Sequence, residues 1–235
     1  MSAFPIEAVI KRVRELPAMP EMIGQLLERI DDPAADIGRI AKQVGCDQGL
    51  AVRVLRVANS SFFGLSGQIG SIKDAVRLLG TNNLRSLVLA AGLIRHLRAP
   101  EGAGFDYRAF WRHGLGTALC AQALARQARK EVEAAFTAGL LHDIGGLGLA
   151  MCCAEGYQKV TAASRERDCP RDEAERAVLG FDHSVVGYEL ARQWRFPPGI
   201  QAAIRSHHDP ENPPHHALTD LLHVADALFP AGAVA

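Results

Sequence analysis

Charge of one sign is missing: the 235-residue chain sets 26 Lys plus Arg against 26 Asp plus Glu. Composition therefore gives no case for a nucleic-acid or anionic-membrane surface, which would show as a basic excess. Paired cysteine is missing as well. The five cysteines, Cys46, Cys120, Cys152, Cys153 and Cys169, include no CxxC spacing, which argues against a disulfide framework or a zinc ribbon. Four of them read as small apolar packing residues, and Cys169, before Pro170 in a polar stretch, reads as exposed. Long apolar runs are short in supply: "LVLAAGLI" (Leu87–Ile94) falls well below the roughly 20 residues of a membrane helix. "MSAFPIEAVIKRVREL" lacks the continuous apolar core of a signal peptide. The expectation is a cytoplasmic protein with no membrane partner. No P-loop, Gly-x-Ser-x-Gly elbow or cysteine set for catalysis is present.

Sustained strand alternation is also absent, and helical periodicity runs nearly everywhere. Ile6, Val9, Ile10 and Val13 open a first amphipathic helix, "LPAMP" (Leu16–Pro20) interrupts it, and Met22 to Ile30 mark a second. Further helices follow around Ile37–Val44 and Leu50–Val57. After the Ser- and Gly-rich "ANSSFFGLSGQIGSI" (Ala58–Ile72), helices resume at Ala75–Leu79 and Leu84–Leu97. "RAPEGAGFD" (Arg98–Asp106) has Pro, Gly and no periodicity, and is the best boundary. The expected organisation is all-α, with an N-terminal half, 1–98, and a C-terminal half, 99–235. Helices in the second half are predicted near Tyr107–Arg129, Glu133–Cys153, Glu155–Arg167, Arg171–Val178, Ser184–Trp194, Pro198–His208 and His216–Leu228.

"DIGRIAKQVGCDQGLAVRVLRVAN" (Asp36–Asn59) has the outline of a helix-turn-helix that would offer Gln48, Arg53 and Arg56 to DNA. Two short helices joined at a Gly are, however, common in any helical bundle. The neutral charge and the run of the second helix into apolar Val57-Ala58 weigh against DNA as a partner.

The chemistry gathers in the second half. In "FTAGLLHDIGGLGLAM" (Phe136–Met151) the residues Phe136, Leu140, Asp143 and Leu147 step by four, three and four. Asp143 thus lies on the apolar stripe, with His142 about 100° round the helix. A buried carboxylate is costly unless paired or bound to a metal. His207 closes the inward stripe Ile200, Ala203, Ile204, and His208 follows Ile204 by four. Asp226 follows Leu218 and Leu222 at four-residue steps. His113 precedes small Gly114, Thr117 and Ala118, and His183 opens a helix marked by Val186, Leu190 and Trp194. A single histidine on an apolar face is more often a hydrogen-bonded core residue than a ligand. Five histidines and two aspartates, most at inward positions on separate helices, instead suit one or two divalent ions such as Fe, Mn or Zn. His215 and His216, after "NPP", read as solvated, and His96 and His223 carry less signal.

The order His113, His142-Asp143, His183, His207-His208, Asp226 resembles the HD superfamily of metal-dependent phosphohydrolases, and more closely its HDOD branch. "LPAMP", "VLRVANSSFFGLSGQIGSIKDAVRLLGTNNLRSLVL" (Val54–Leu89), "AGLLHDIGGLGL" (Ala138–Leu149) and "GFDHSVVGYELARQWRFPPGIQAAIRSHHDPE" (Gly180–Glu211) carry the resemblance, over about Leu16 to Leu228. It implies an N-terminal helical region packed on an HD-like helical core, in a bacterial signal-transduction module that works by contact with other signalling proteins, without catalysis. By analogy with the related HD-GYP phosphodiesterases, His113, His142, Asp143 and Asp226 would form one metal site. Asp143 would bridge to a second, completed by His183, His207 and His208. The alternative function is a metal-dependent phosphohydrolase acting on a nucleotide or cyclic dinucleotide. Against it, Gly146 stands where HD-GYP proteins carry a phosphate-binding lysine. "HHDPENPP" (His207–Pro214) lacks the Gly-Tyr-Pro segment, and Ala109 replaces the glutamate of trinuclear members. The Asn59–Gly70 loop, with Phe62, Phe63 and Leu65, is a candidate contact surface or an internal staple.

Overall fold

The structure is a computed structural model that describes residues 4–16, 36–46, 48–59, 69–97, 99–211 and 216–229. No strand occurs among them. "LPAMP" beyond Leu16, the Met22–Ile30 helix, and Phe62, Phe63, Leu65 and His215 lie outside the described residues.

The chain divides into two compact units, Met19–His96 and the combination of Met1–Ala18 with Leu97–Ala235. The first contains α2 (Ile37–Cys46), α3 (Gln48–Ala58) and α4 (Ile72–His96). Ile40, Val44, Val54, Ala58, Val76, Leu84 and Leu87 are buried in it. Gly80, at φ 74°, breaks α4 internally, as the gap between the two expected helices required. Of the residues a DNA-reading helix would present, Gln48 and Arg56 are exposed, while the side chain of Arg53 lies outside the description.

The second unit holds α1 (Ile6–Arg14), α5 (Tyr107–Ala128), α6 (Val132–Leu141), α7 (Ile144–Cys152), α8 (Ala154–Arg167), α9 (Arg171–Leu179), α10 (His183–Gln193), α11 (Pro198–Ser206) and α12 (Ala217–Leu228). The chain returns to this unit at Leu97. The first helix differs from the expected 1–98 division. Val9 and Val13 are buried, Arg12 Nη1 donates to the Cys152 carbonyl at 2.9 Å, and Gln193 Nε2 donates to the Leu16 carbonyl at 3.1 Å. The amphipathic stripe of α1 thus finds its apolar partner in α7 and α10, across about 140 to 180 residues of chain.

Side-chain caps set several helix starts. Asp106 accepts from Ala109 N at 2.9 Å to begin α5, and Asp182 accepts from Ser184 N at 3.1 Å to begin α10. His216, expected to be solvated, accepts from Leu218 N at 3.2 Å and caps α12. Cys152 and Cys153 are buried, but Cys46 is exposed and Cys120 and Cys169 are half-buried, so fewer cysteines serve the core than expected. Val132–Cys152 is long and apolar enough by composition to cross a membrane, yet 89% of its most apolar window is buried in the protein.

The continuous helix expected over Glu133–Cys153 is two. Asp143, at φ −90° and ψ 9°, interrupts it between α6 and α7. A glycine-lined seam then sets how near the helices come. A Cβ on Gly139 would meet Ala118 Cα at 2.5 Å, and one on Gly145 would meet the His183 carbonyl oxygen at 1.9 Å and Gly187 N at 2.5 Å. Backbone contact this close brings the starts of α7 and α10 together, and with them Asp143 and His183.

Candidate metal centre

All seven predicted side chains converge in one interior pocket of the second unit. His142 is fully buried, and Asp143 keeps 25% of its side-chain surface. The hydrophobic stripe suggested that Asp143 would be the deeper of the pair. The turn at Asp143 reverses that order and aims both side chains into the same pocket. His207 and His208 sit just beyond the end of α11 rather than on it.

Asp143 lies between two sets. On one side are His113, His142 and Asp226; on the other, His183, His207 and His208. Its Oδ2 is 3.3 Å from His113 Nε2. Its Oδ1 is 3.3 Å from His142 Nε2, 3.0 Å from His183 Nε2 and 3.7 Å from His207 Nε2. Asp226 Oδ1 is 3.0 Å from His113 Nε2 and 3.3 Å from His142 Nε2. His208 Nε2 stands 3.1 Å from His183 Nε2, which is 3.3 Å from His207 Nε2.

The outer nitrogens explain this orientation. His113 Nδ1 donates to the Phe229 carbonyl at 2.9 Å, His142 Nδ1 to the Gly139 carbonyl at 2.8 Å, and His207 Nδ1 to the Ile204 carbonyl at 2.8 Å. A carbonyl only accepts, so each Nδ1 carries a proton and each ring turns its Nε2 inward. His183 Nδ1 instead faces Glu175 Oε2 at 2.6 Å, and the same oxygen accepts from His183 N at 2.7 Å. Imidazole lone pairs and carboxylate oxygens crowded at about 3 Å repel one another unless a proton or a cation enters. Carboxylate or carbonyl partners behind inward histidines are the usual support of metal ligands. The residues present therefore fit a divalent cation at each set, with Asp143 shared.

The electrostatics agree. Burial opposes charge on His113, but hydrogen bonds and charge from Asp143 and Asp226 outweigh it and push its pKa up to about 10. Burial also opposes charge on Asp143, yet His142, His183 and His113 hold its carboxyl well below the usual carboxylate range. Asp226 is likewise lowered against its burial by His113 and His142. Burial, and the crowding of the His207 and His183 imidazoles that disfavours a further charge, push His208 down to about 3.

Two supports escaped the sequence reading. Glu175 on α9 is a fully buried carboxylate, with Arg171 Nε 3.6 Å from its other oxygen. Its signal was its place four residues before buried Leu179 and beside buried Ala174. His223 Nδ1 donates to the His207 carbonyl at 2.6 Å and fixes the backbone that carries the paired histidines.

Residues 16–210 match the family model of the HDOD domain. The chain belongs to the HDOD family. Among solved structures it is similar to a protein of Shewanella amazonensis SB2B classed as a phosphohydrolase, with 31% identity, 94% of this chain and 80% of that one covered, and a TM-score of 0.75. It is also similar to an HDOD domain protein of unknown function from Geobacter sulfurreducens (27% identity, 95% and 78% covered, TM-score 0.75). A third similar structure, from Marinobacter aquaeolei VT8, is classed as a signal transduction protein (27%, 95% and 53%, 0.74). In sequence the HDOD chain is 24% identical over 210 residues to an uncharacterized protein of Treponema pallidum (strain Nichols) and 26% identical over 214 residues to ribonuclease Y of Lawsonia intracellularis. It spans 40% and 32% of the lengths of those relatives.

Proposed function

We propose that this HDOD chain is a regulatory signal-transduction module that holds one or two divalent ions, of the iron or manganese kind, and acts in the cytoplasm by contacting other signalling proteins. His113, His142, Asp143 and Asp226 would hold one ion, and Asp143, His183, His207 and His208 the other. The observation that carries the metal reading is the convergence of three Nε2 atoms whose outer nitrogens all donate to carbonyls. Support for a role without turnover comes from Gly146. A Cβ there would meet nothing within 4 Å, so the space where HD-GYP enzymes place a lysine holds no side chain of this residue.

The second reading is a metal-dependent phosphohydrolase on a nucleotide or cyclic dinucleotide. It is favoured by a cavity of about 330 Å³ that is lined by His208. Bound at the two sets, divalent ions supply Lewis acidity to phosphoryl oxygens. This chain's own residues orient the ligand rings and bury the carboxylates.

Elemental analysis of the purified protein, with a phosphodiesterase assay in added Mn or Fe, separates the two. The regulatory reading expects bound metal, lost in Asp143→Ala, and no turnover. Metal-dependent turnover abolished by Asp143→Ala overturns it in favour of the enzyme. Wild-type protein that takes up no metal overturns both.

A further inference from the structure

Glu175 has one idle oxygen. Its Oε2 holds His183 through both N and Nδ1. Its Oε1 is buried and has no hydrogen-bond partner among the described residues. A buried carboxylate oxygen in that state costs free energy. Arg171 Nε stands 3.6 Å from it, just beyond bonding distance. The guanidinium is engaged on its other side: Nη2 donates to Tyr157 Oη, and its carbon lies 4.7 Å from the centroid of the Tyr157 ring. Arg171 is thus stretched between two partners and fully satisfies one. Its side chain is 43% exposed, so it can shift without repacking the core.

Tyr157, on α8, leads away from the metal centre. Its buried ring meets Phe105 with centroids 5.9 Å apart, and Phe105 meets Tyr107 at 4.8 Å, both within the range of interacting aromatic pairs. Tyr107 Oη accepts from Ala99 N at 2.7 Å. Beside Tyr157, Gln158 Nε2 donates to the Gly102 carbonyl at 2.7 Å. Residues 99–106, which follow the entry of the chain into this unit at Leu97, are therefore fastened at two points. A run of bonded or stacked groups joins His183, through Glu175, Arg171, Tyr157, Phe105 and Tyr107, to the amide of Ala99.

We propose that Arg171 is a positioning residue for His183 that also couples the second ligand set to this entry segment. Ion binding at His183, His207 and His208 tightens the closure of residues 99–106, and that closure tightens ion binding in return. An ion on Nε2 fixes the His183 ring, and the ring fixes Glu175. A fixed carboxylate lets Arg171 settle between Oε1 and Tyr157 Oη, which steadies the aromatic run beyond. Coupling between two sites is reciprocal by thermodynamic necessity. The inference rests on the metal reading above and adds a place in the chain where the ion is felt.

Hydrogen exchange at the Ala99 amide, followed by NMR with and without saturating Mn in protein of measured metal content, reads the coupling. Mn is expected to slow it by roughly fivefold or more. In Arg171→Met the slowing is expected to vanish, at Mn raised until metal content equals that of the wild type. Tyr157→Phe keeps the ring, removes only Oη, and is expected to do the same; it serves if Arg171→Met does not fold. The reciprocal arm is Tyr107→Phe, which frees the Ala99 amide. It is expected to weaken Mn by about the factor by which Mn slows exchange, and to have no effect once Arg171 is Met. A purely structural loss at the start of α5 would weaken Mn in both backgrounds and overturns the coupling. So does equal slowing in wild type and Arg171→Met, or no slowing in the wild type. If the wild type takes up no Mn, the metal reading fails by itself, and exchange in the metal-free protein decides the coupling. Faster exchange at Ala99 in both Glu175→Gln and Arg171→Met sustains it, and unchanged exchange in either overturns it.

Discussion

His113 and His142 meet Nε2 to Nε2 at 3.0 Å, while each ring's other nitrogen is committed to a backbone carbonyl. Two bare lone pairs do not hold each other at that distance. Without a metal, a proton must sit between them, and His113 is the ring that takes it. Burial alone would discourage that charge, but Asp143 and Asp226 raise its pKa to about 10.

A pH dependence of metal binding follows with a definite sign. Below pH 10 the metal-free protein carries this proton, and an entering cation must expel it. Metal affinity is therefore expected to rise as pH rises from 6 to 8, by about tenfold per unit for each proton released. Calorimetric titration with Mn in buffers of different ionisation enthalpy counts the released protons. An affinity that is flat across this range would contradict the assignment of the proton.

Glu175 is a positioning residue for His183. It binds the ring through Nδ1 and the backbone through N with one oxygen, so it fixes both the tautomer and the start of α10. Glu175→Gln keeps an acceptor but removes the charge. Metal affinity is expected to fall by about 10- to 100-fold, the usual effect of losing such an outer partner, with the melting temperature changed much less than in Glu175→Ala. The contrast between the two variants separates ring positioning from packing. Unchanged affinity in Glu175→Gln would mean that the carboxylate only fills space.

The neighbouring glycines Gly145 and Gly146 should respond oppositely to one methyl group. At Gly145 a Cβ would stand 1.9 Å from the His183 carbonyl oxygen, so Gly145→Ala must push α7 and α10 apart. The expected cost is about 3 kcal/mol, or roughly 6–12 °C in melting temperature for a chain of this size, with loss of metal binding. At Gly146 a Cβ meets nothing within 4 Å. Gly146→Ala is expected to stabilise by up to about 1 kcal/mol through helix propensity and to leave metal content intact. Thermal melts of the two variants, with metal analysis, check both.

Much of this was legible in the sequence because inward position is periodic. The stripes ending at His207 and Asp226, and the His142-Asp143 pair in an apolar segment, marked inward side chains that the structure brings together. The helix break at Asp143 was not legible, because the four-three-four spacing runs across the turn without interruption. Glu175 was hidden for a different reason: "RDEAERA" reads as a solvated charged face, and only its place beside buried Ala174 and four residues before buried Leu179 marks it out. His216 and His223 act on backbone groups, and a backbone partner leaves no trace in side-chain spacing. The packing of α1 against α10 was out of reach as well, since an amphipathic stripe states that it needs an apolar partner but not which one.

That last contact bears on how the chain is made. The helix at Ile6–Arg14 leaves the ribosome well before Glu189 and Gln193, which pair with Arg14 and Leu16 and are synthesised about 180 residues later. At roughly 5–20 residues per second, the amphipathic segment waits many seconds with Val9 and Val13 in water. This helix is thus translated ahead of the others in its unit yet docks only once α10 has been made, and its docking reports that synthesis of the helices around the histidine cluster is well advanced.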